Sequence, residues 1–227
     1  MHSLKYIWRN VKRHWLRSSL TVLSIAFCLA FMTVLHGFMV MQNTWAKSAN
    51  ENRVVVMNIQ GFSGKLPIAY VEKIRKLDDV IAAVPYAWYG GTYEDNTVMF
   101  AQFATDASEV FKVWNEFIVD PARHQAWRDN PQGVMVDKDL ADRLKLNVGD
   151  KLPLTGTFYQ FDLDLTISGF FKSEKGPTDT VLFHWKYLDE GLKAKKARGD
   201  GNSGTIFAKT KSAGAMPLVM EEIDRTF

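Results

Sequence analysis

The sequence contains one cysteine, Cys28. A single thiol excludes an intrachain disulfide and a multi-cysteine zinc site, because either needs a second one. Charge of one sign is also scarce: 28 Lys and Arg stand against 25 Asp and Glu, a net +3 that argues against a nucleic-acid binder. No GxxxxGK followed by Ser or Thr occurs, so the chain has no P-loop of its own. HExxH and GxSxG are missing too, and histidines 2, 14, 36, 124 and 184 are too scattered for a local metal set. One GxGxxG match, GDGNSG at 199–204, follows a helical pattern and opens a strand, the reverse of a dinucleotide fingerprint, and reads as a flexible loop. Ser63 and Lys65 in GFSGK read as solvated turn residues rather than a Ser–Lys protease pair, and Lys193, Lys195, Lys196 and Arg198 as an exposed helix end. Nothing here supports an enzyme.

What is present is a core-forming composition, 47% hydrophobic and 13% aromatic, with its basic charge concentrated at one end. Residues 1–17 carry Lys5, Arg9, Lys12, Arg13 and Arg17 without an acid, which leaves 23 bases against 25 acids elsewhere. From Leu20 to Met41 there is no Asp, Glu, Lys or Arg, and a helix of that length crosses a hydrocarbon core of about 30 Å. The run is too long for a cleaved signal peptide, whose apolar core spans roughly 7–15 residues. Bulky Phe27 spoils a lipoprotein reading of IAFC, and inert burial is expected for Cys28. Positive-inside asymmetry places residues 1–18 in the cytoplasm, a transmembrane helix at 19–42, and residues 43–227 outside the cytoplasm. His36 near the outer end reads as an imidazole close to the interface or one hydrogen-bonded to a neighbouring helix, and small residues from Thr21 to Gly37 permit close helix packing.

Leu4, Trp8, Val11 and Trp15 recur at helical spacing, with basic residues on the other faces, the pattern of an interfacial amphipathic helix. Two readings stay open, a lipid-held topology anchor and a helix that touches a cytoplasmic partner. For the second, the candidate ATPase or membrane interface is Lys5, Trp8, Arg9, Lys12, Arg13, Trp15 and Arg17.

Beyond the span, the polar stretch QNTWAKSANEN extends the helix as a short stalk. RVVVMNIQ at 53–60 reads as a buried strand, and Pro67 as the first residue of a helix reaching Leu77. Extended segments follow at 81–89 and 97–104, with Gly90 and Gly91 as punctuation. The segment VWNEFIVDPARHQAWRDNPQG is rich in tryptophan and helix-compatible residues and ends in the Asn130-Pro131 breaker. Gly133 to Val136 reads as a strand, Asp137 as an N-cap, and NVGDKLPL as a turn into another strand. In FDLDLTISGFF, period two puts Phe161, Leu163, Leu165 and Ile167 on one buried face and Asp162 and Asp164 on the solvated one. A strand at 180–183, the helix HWKYLDEGLKAKKAR, a strand at 204–210 and a terminal helix with Val219, Ile223 and Phe227 on one side close the chain. The fold class is α+β.

The opening LKYIWRNVKRHWLRSSLTVLSIAF resembles the first helix of MacB/FtsX/LolC-type ABC transporter permeases through Arg9, Asn10, Arg17, Leu20, Thr21, Leu23, Ile25 and Ala26. GVMVDKDLADRLKLNVGDKLPL is similar to the family's periplasmic core domain, with Val134–Val136, Leu140, Ala141, Leu144, Val148, Gly149 and Asp150 in order, followed by FDLDLTISGFF. The resemblance implies a mixed α/β periplasmic domain, its Porter-like half at 52–115 and 202–227 and an inserted, β-rich Sabre-like half at 116–201. It implies a bacterial inner-membrane permease subunit, non-catalytic and without cofactor, served by a cytoplasmic ABC ATPase that alone handles ATP. A second permease copy or a homologous permease would complete a dimer in the bilayer. The family carries three further spans after this domain, so the resemblance implies either a fragment or a short variant that needs a partner chain. A single-pass periplasmic adaptor or sensor without an ATPase is the alternative.

Overall fold

The computed structural model describes residues 8, 12–48, 52–61, 64–94 and 99–227. The chain divides into two compact units, residues 1–49 and 50–227.

The first unit holds α1 (Trp15–Ser48), 34 residues long. Its portion Trp15–Val40 is long and apolar enough to cross a membrane. Lipid offers no hydrogen bonds, so polar groups there must be satisfied within the helix. Ser19, Thr21 and Thr33 comply, donating to the carbonyls of Leu16, Arg17 and Leu29 at 3.0, 3.0 and 2.8 Å. Leu23, Phe27 and Met32 are uncovered by protein. Cys28 is exposed as well, a correction to the burial expected for it, since the described residues of the first unit leave the apolar run around it uncovered. The expected stalk is helical as far as Ser48.

The second unit is a mixed sheet flanked by helices. Its edge strand β1 (Arg53–Met57) pairs antiparallel with β12 (Thr205–Thr210), and β12 with β3 (Val80–Trp88). Next come β5 (Ala101–Thr105), antiparallel to β3, and β10 (Thr180–His184), parallel to β5. Then β7 (Gly133–Asp137) runs antiparallel to β10 and parallel to β9 (Leu163–Ser173). β6 (Phe117–Val119) and β8 (Lys151–Gly156) each lie antiparallel to β9, and β4 (Gly91–Thr92) pairs with β8. A separate ribbon joins β2 (Leu66–Pro67) to β11 (Asn202–Ser203). The helices are α2 (Ala69–Arg75), α3 (Val110–Val113), α4 (Pro121–Asp129), α5 (Lys138–Leu144), α6 (Trp185–Ala194) and α7 (Met216–Thr226).

Alternation along the strands divides the core. Val181 and Phe183 of β10 join Leu140, Leu188 and Leu192 in one cluster, whereas Leu182 joins Val110, Val113, Trp127 and Phe171 in another. A third holds Val54, Ile74, Ile206, Val219 and Ile223. In β9 the alternation is as expected: Leu163, Leu165 and Ile167 are buried, Asp164 exposed.

Three details differ from expectation. Pro67 lies in β2 opposite Asn202, and the helix starts at Ala69 behind Ile68, because the ribbon pairing captures the proline first. The segment after Val113 contains β6, since an open edge of β9 is available to pair with Phe117–Val119. GDGNSG is not a free loop, because Asn202 and Ser203 form β11 and the Gly201 amide donates to Asp189 at 2.6 Å. Ser63 and residues 97 and 98 lie outside the described residues.

Tyr89 closes the first cluster. Its ring is fully buried, and its hydroxyl donates to the carbonyl of Phe161 and lies 3.4 Å from that of Leu154. Burial, then the nearby Asp162 and Tyr187, push the phenol pKa up, so the hydroxyl keeps its proton and remains a donor. Tyr89→Phe removes that donor and is expected to cost about 1–3 kcal/mol. Thermal melts read this directly, and an unchanged Tm removes the bond from the account of stability.

Candidate functional site

Two sites stand out in the second unit. The first lies where the domain begins, at Arg53, five positions after Ser48 ends α1. The Arg53 guanidinium donates through Nη2 to both carboxylate oxygens of Glu116 at 2.8 and 2.7 Å, and through Nε and Nη2 to the Val113 carbonyl at 3.1 and 3.0 Å. It also lies 4.9 Å from the centre of the Trp114 ring. The two side chains are 8% and 10% exposed, so little water screens the pair. Burial raises the Glu116 pKa, but the bonds from Arg53 outweigh it and hold the carboxyl below its ordinary range. Lys209, opposite Arg53 in the β1–β12 register, donates to Asn115 at 3.1 Å, and burial followed by the Arg53 charge lowers its pKa. This clamp fastens the first strand after the helix to the segment 113–116.

The second site is a cleft of about 630 Å³ beyond the carboxyl ends of β5 and β10. Ile68 with Val71 and Arg75 of α2 forms one wall, and His184 at the end of β10 with Trp185 and Lys186 of α6 another. Arg75 Nη2 donates to Asp106 at 2.6 Å, its Nη1 to Glu72 at 2.7 Å, and its Nε to the Ala83 carbonyl at 2.7 Å. Burial raises the Asp106 pKa, and bonds from Ser108 and Arg75 more than reverse that, so the carboxylate stays ionised. His184 has its Nε2 2.8 Å from the Trp127 carbonyl, and burial lowers its pKa, which keeps the imidazole neutral at pH 7. Among the described residues no group of three or more His, Cys, Asp or Glu has the arrangement to hold a metal ion.

Residues 18–226 match the family model described as the MacB-like periplasmic core domain. The chain belongs to that family. The match covers both the apolar helix from residue 18 onward and the sheet domain, and the family is a permease component of ABC transporters. Two solved structures share the MacB-like fold. The periplasmic region of MacB from Actinobacillus actinomycetemcomitans matches with a TM-score of 0.56 at 13% identity, over 77% of this chain and 83% of that one. The extracellular domain of the noncanonic ABC-type transporter YknZ from Gram-positive bacteria matches with a TM-score of 0.54 at 12% identity, over 76% of this chain and 89% of that one. At such identities the likeness is one of fold. No curated protein matches the sequence.

In this MacB-like chain the residues singled out from the sequence fall ahead of and within α1. Trp8, Lys12 and Arg13 are helical and exposed, and Trp15 and Arg17 are exposed in the first turn of α1. Lys5 and Arg9, with Leu4, Asn10 and Val11, lie outside the described residues. The Arg53 clamp and the cleft were missed. No local signal announces a partner 63 positions away. For the cleft a signal exists: HWKYLDEG opens a helix without a Ser, Thr, Asp or Asn cap and without an acid in its first turn.

Proposed function

We propose that the chain is a permease subunit that couples ATP hydrolysis on a separate cytoplasmic ATPase to movement of its extracytoplasmic domain, in export, lipoprotein or lipid handling, or mechanotransmission. In this scheme residues 1–18 lie in the cytoplasm, α1 crosses the inner membrane, and residues 43–227 lie in the periplasm. The Porter-like half is residues 52–115 and 202–227, with a Sabre-like insertion at 116–201. The protein needs no cofactor of its own, and a second permease copy or homologue joins it as a dimer.

The observation that carries the reading is one family match that takes in helix and domain together, over residues 18–226. A continuous 34-residue helix supports it, because a helix of that length transmits displacement as a rigid body. The exposed charges at Lys12, Arg13 and Arg17 stand at its cytoplasmic end in this topology.

The test is co-purification of the ATPase with the charge-reversed variant Arg9→Glu, Arg13→Glu, Arg17→Glu, with protease accessibility confirming that the domain still faces outward. Capture is expected to fall about tenfold or more, the loss of a few exposed charge pairs. Undiminished capture, or normal function with an unrelated basic anchor in place of residues 1–18, favours the single-pass adaptor instead.

A further inference from the structure

The sheet is open at β1, and the ladder register fixes what that edge offers. The Thr210 amide donates to the Asn52 carbonyl at 2.8 Å, one step outside a register in which Arg53 faces Lys209 and Val54 faces Ala208. In an antiparallel ladder bonded and non-bonded pairs alternate, so Val54 and Val56 make the main-chain bonds to β12. Arg53, Val55 and Met57 then turn their amides and carbonyls to the open side, where no strand pairs with them among the described residues. A row of alternating donors and acceptors is matched by another extended backbone.

The side chains suit such a pairing. Val55 and Met57 are 47% and 43% exposed, and the strand RVVVM has neither the proline nor the lysine that commonly protects an edge. The opposite edge is protected by its shortness, since β4 has only two residues. Symmetry and charge select the occupant. Centred on Val55, the edge complements itself: about a two-fold axis Val55 meets the partner subunit's Val55, and Arg53 meets the partner subunit's Met57 in both directions. The one charge in the row, Arg53, is already neutralised by Glu116 of its own chain, so no like charges oppose each other along the ladder.

We propose that two copies of this chain join through β1, their edges pairing antiparallel across Val55 into one continuous sheet. Each of the facing pairs contributes two main-chain bonds. The contact presupposes the permease dimer and forms its extracytoplasmic part. A five-residue strand falls far short of the roughly 20–30 residues a side of a standard interface. The pairing therefore closes between copies already held together in the bilayer, not between free domains.

The experiment places the full chain in nanodiscs at an excess of discs, with Cys28→Ser removing the sole thiol. Val55→Cys is expected to form an intermolecular disulfide, because facing residues of a bonded antiparallel pair hold their Cα atoms about 5.5 Å apart. Met57→Cys should link to itself at least about tenfold less, since its two copies lie about 13 Å apart along the strands. Both positions are exposed, so either variant folds. In the chain with native β1, the Val55 amide should exchange with solvent at least about tenfold more slowly in discs holding two copies than in discs holding one. Disc mass separates the two ideas. Discs with one copy only would fail the dimer and this contact with it. Two-copy discs with no Val55 linkage, with equal linkage at Met57, or with a Val55 amide still open to exchange would overturn the contact, leave the dimer standing, and assign the edge to a strand of another protein.

Discussion

Arg53→Ala is expected to destabilise the domain by about 3–5 kcal/mol, because it leaves the Glu116 carboxylate buried without its counter-charge. The wild-type pair makes four contacts from one guanidinium, two to Glu116 and two to the Val113 carbonyl, under cover of Trp114. In a domain of this size each kcal/mol shifts Tm by about 2–4 °C, so the loss is on the order of 10 °C. Removing both charges with Arg53→Met and Glu116→Gln should recover much of it, since the penalty comes from the abandoned charge rather than from the absent attraction. The pH dependence has a definite sign. Folding lowers the Glu116 pKa, so the pair's contribution is complete above about 4.5, the ordinary value, and is lost as pH falls through the lower folded value. Melts of wild type and Arg53→Ala should therefore differ most at neutral pH and converge in acid. A constant difference across that range would show that the carboxylate is not the group responsible.

Ala46→Pro is expected to separate assembly from coupling. Position 46 lies in the last turns of α1, where proline removes a main-chain bond and clashes with the carbonyl four residues earlier, at a cost of about 3 kcal/mol or more. The basic leader that we propose binds the ATPase is untouched, so co-purification should stay at the wild-type level. Communication between ATPase and domain should fall by the whole coupling factor, roughly 5–150-fold for typical coupling energies. The readout is the dependence of ATP turnover in the assembled complex on the presence of the domain. Ala46→Leu, which favours a helix, is the control. Intact coupling in the proline variant would rule out transmission by a rigid α1.

Much of the molecule was legible because the forces concerned are local. Leu20–Met41 announces a span by composition alone, and Leu163, Leu165 and Ile167 face the core because a strand alternates by geometry. Asp137 illustrates the limit. Its capping of α5 through Asp139, at 3.2 Å, follows from its place before a helical run. Its other oxygen accepts from the Thr178 amide and hydroxyl and the Asp179 amide at 2.5, 2.7 and 3.0 Å, and nothing near Asp137 in the sequence foretells those. β6 was hidden in a helix-compatible stretch for the same reason, since three residues become a strand only when an edge is offered.

The sequence by itself therefore determined the apolar helix, its basic leader, the α+β class and the resemblance to MacB-like permeases, all properties of neighbouring residues and their periodicity. The tertiary structure alone decided that Arg53 meets Glu116 and that β5 lies parallel to β10, with a cleft beyond their carboxyl ends. Pairings across such sequence distances are chosen by burial and charge satisfaction in the whole fold, which no local pattern encodes.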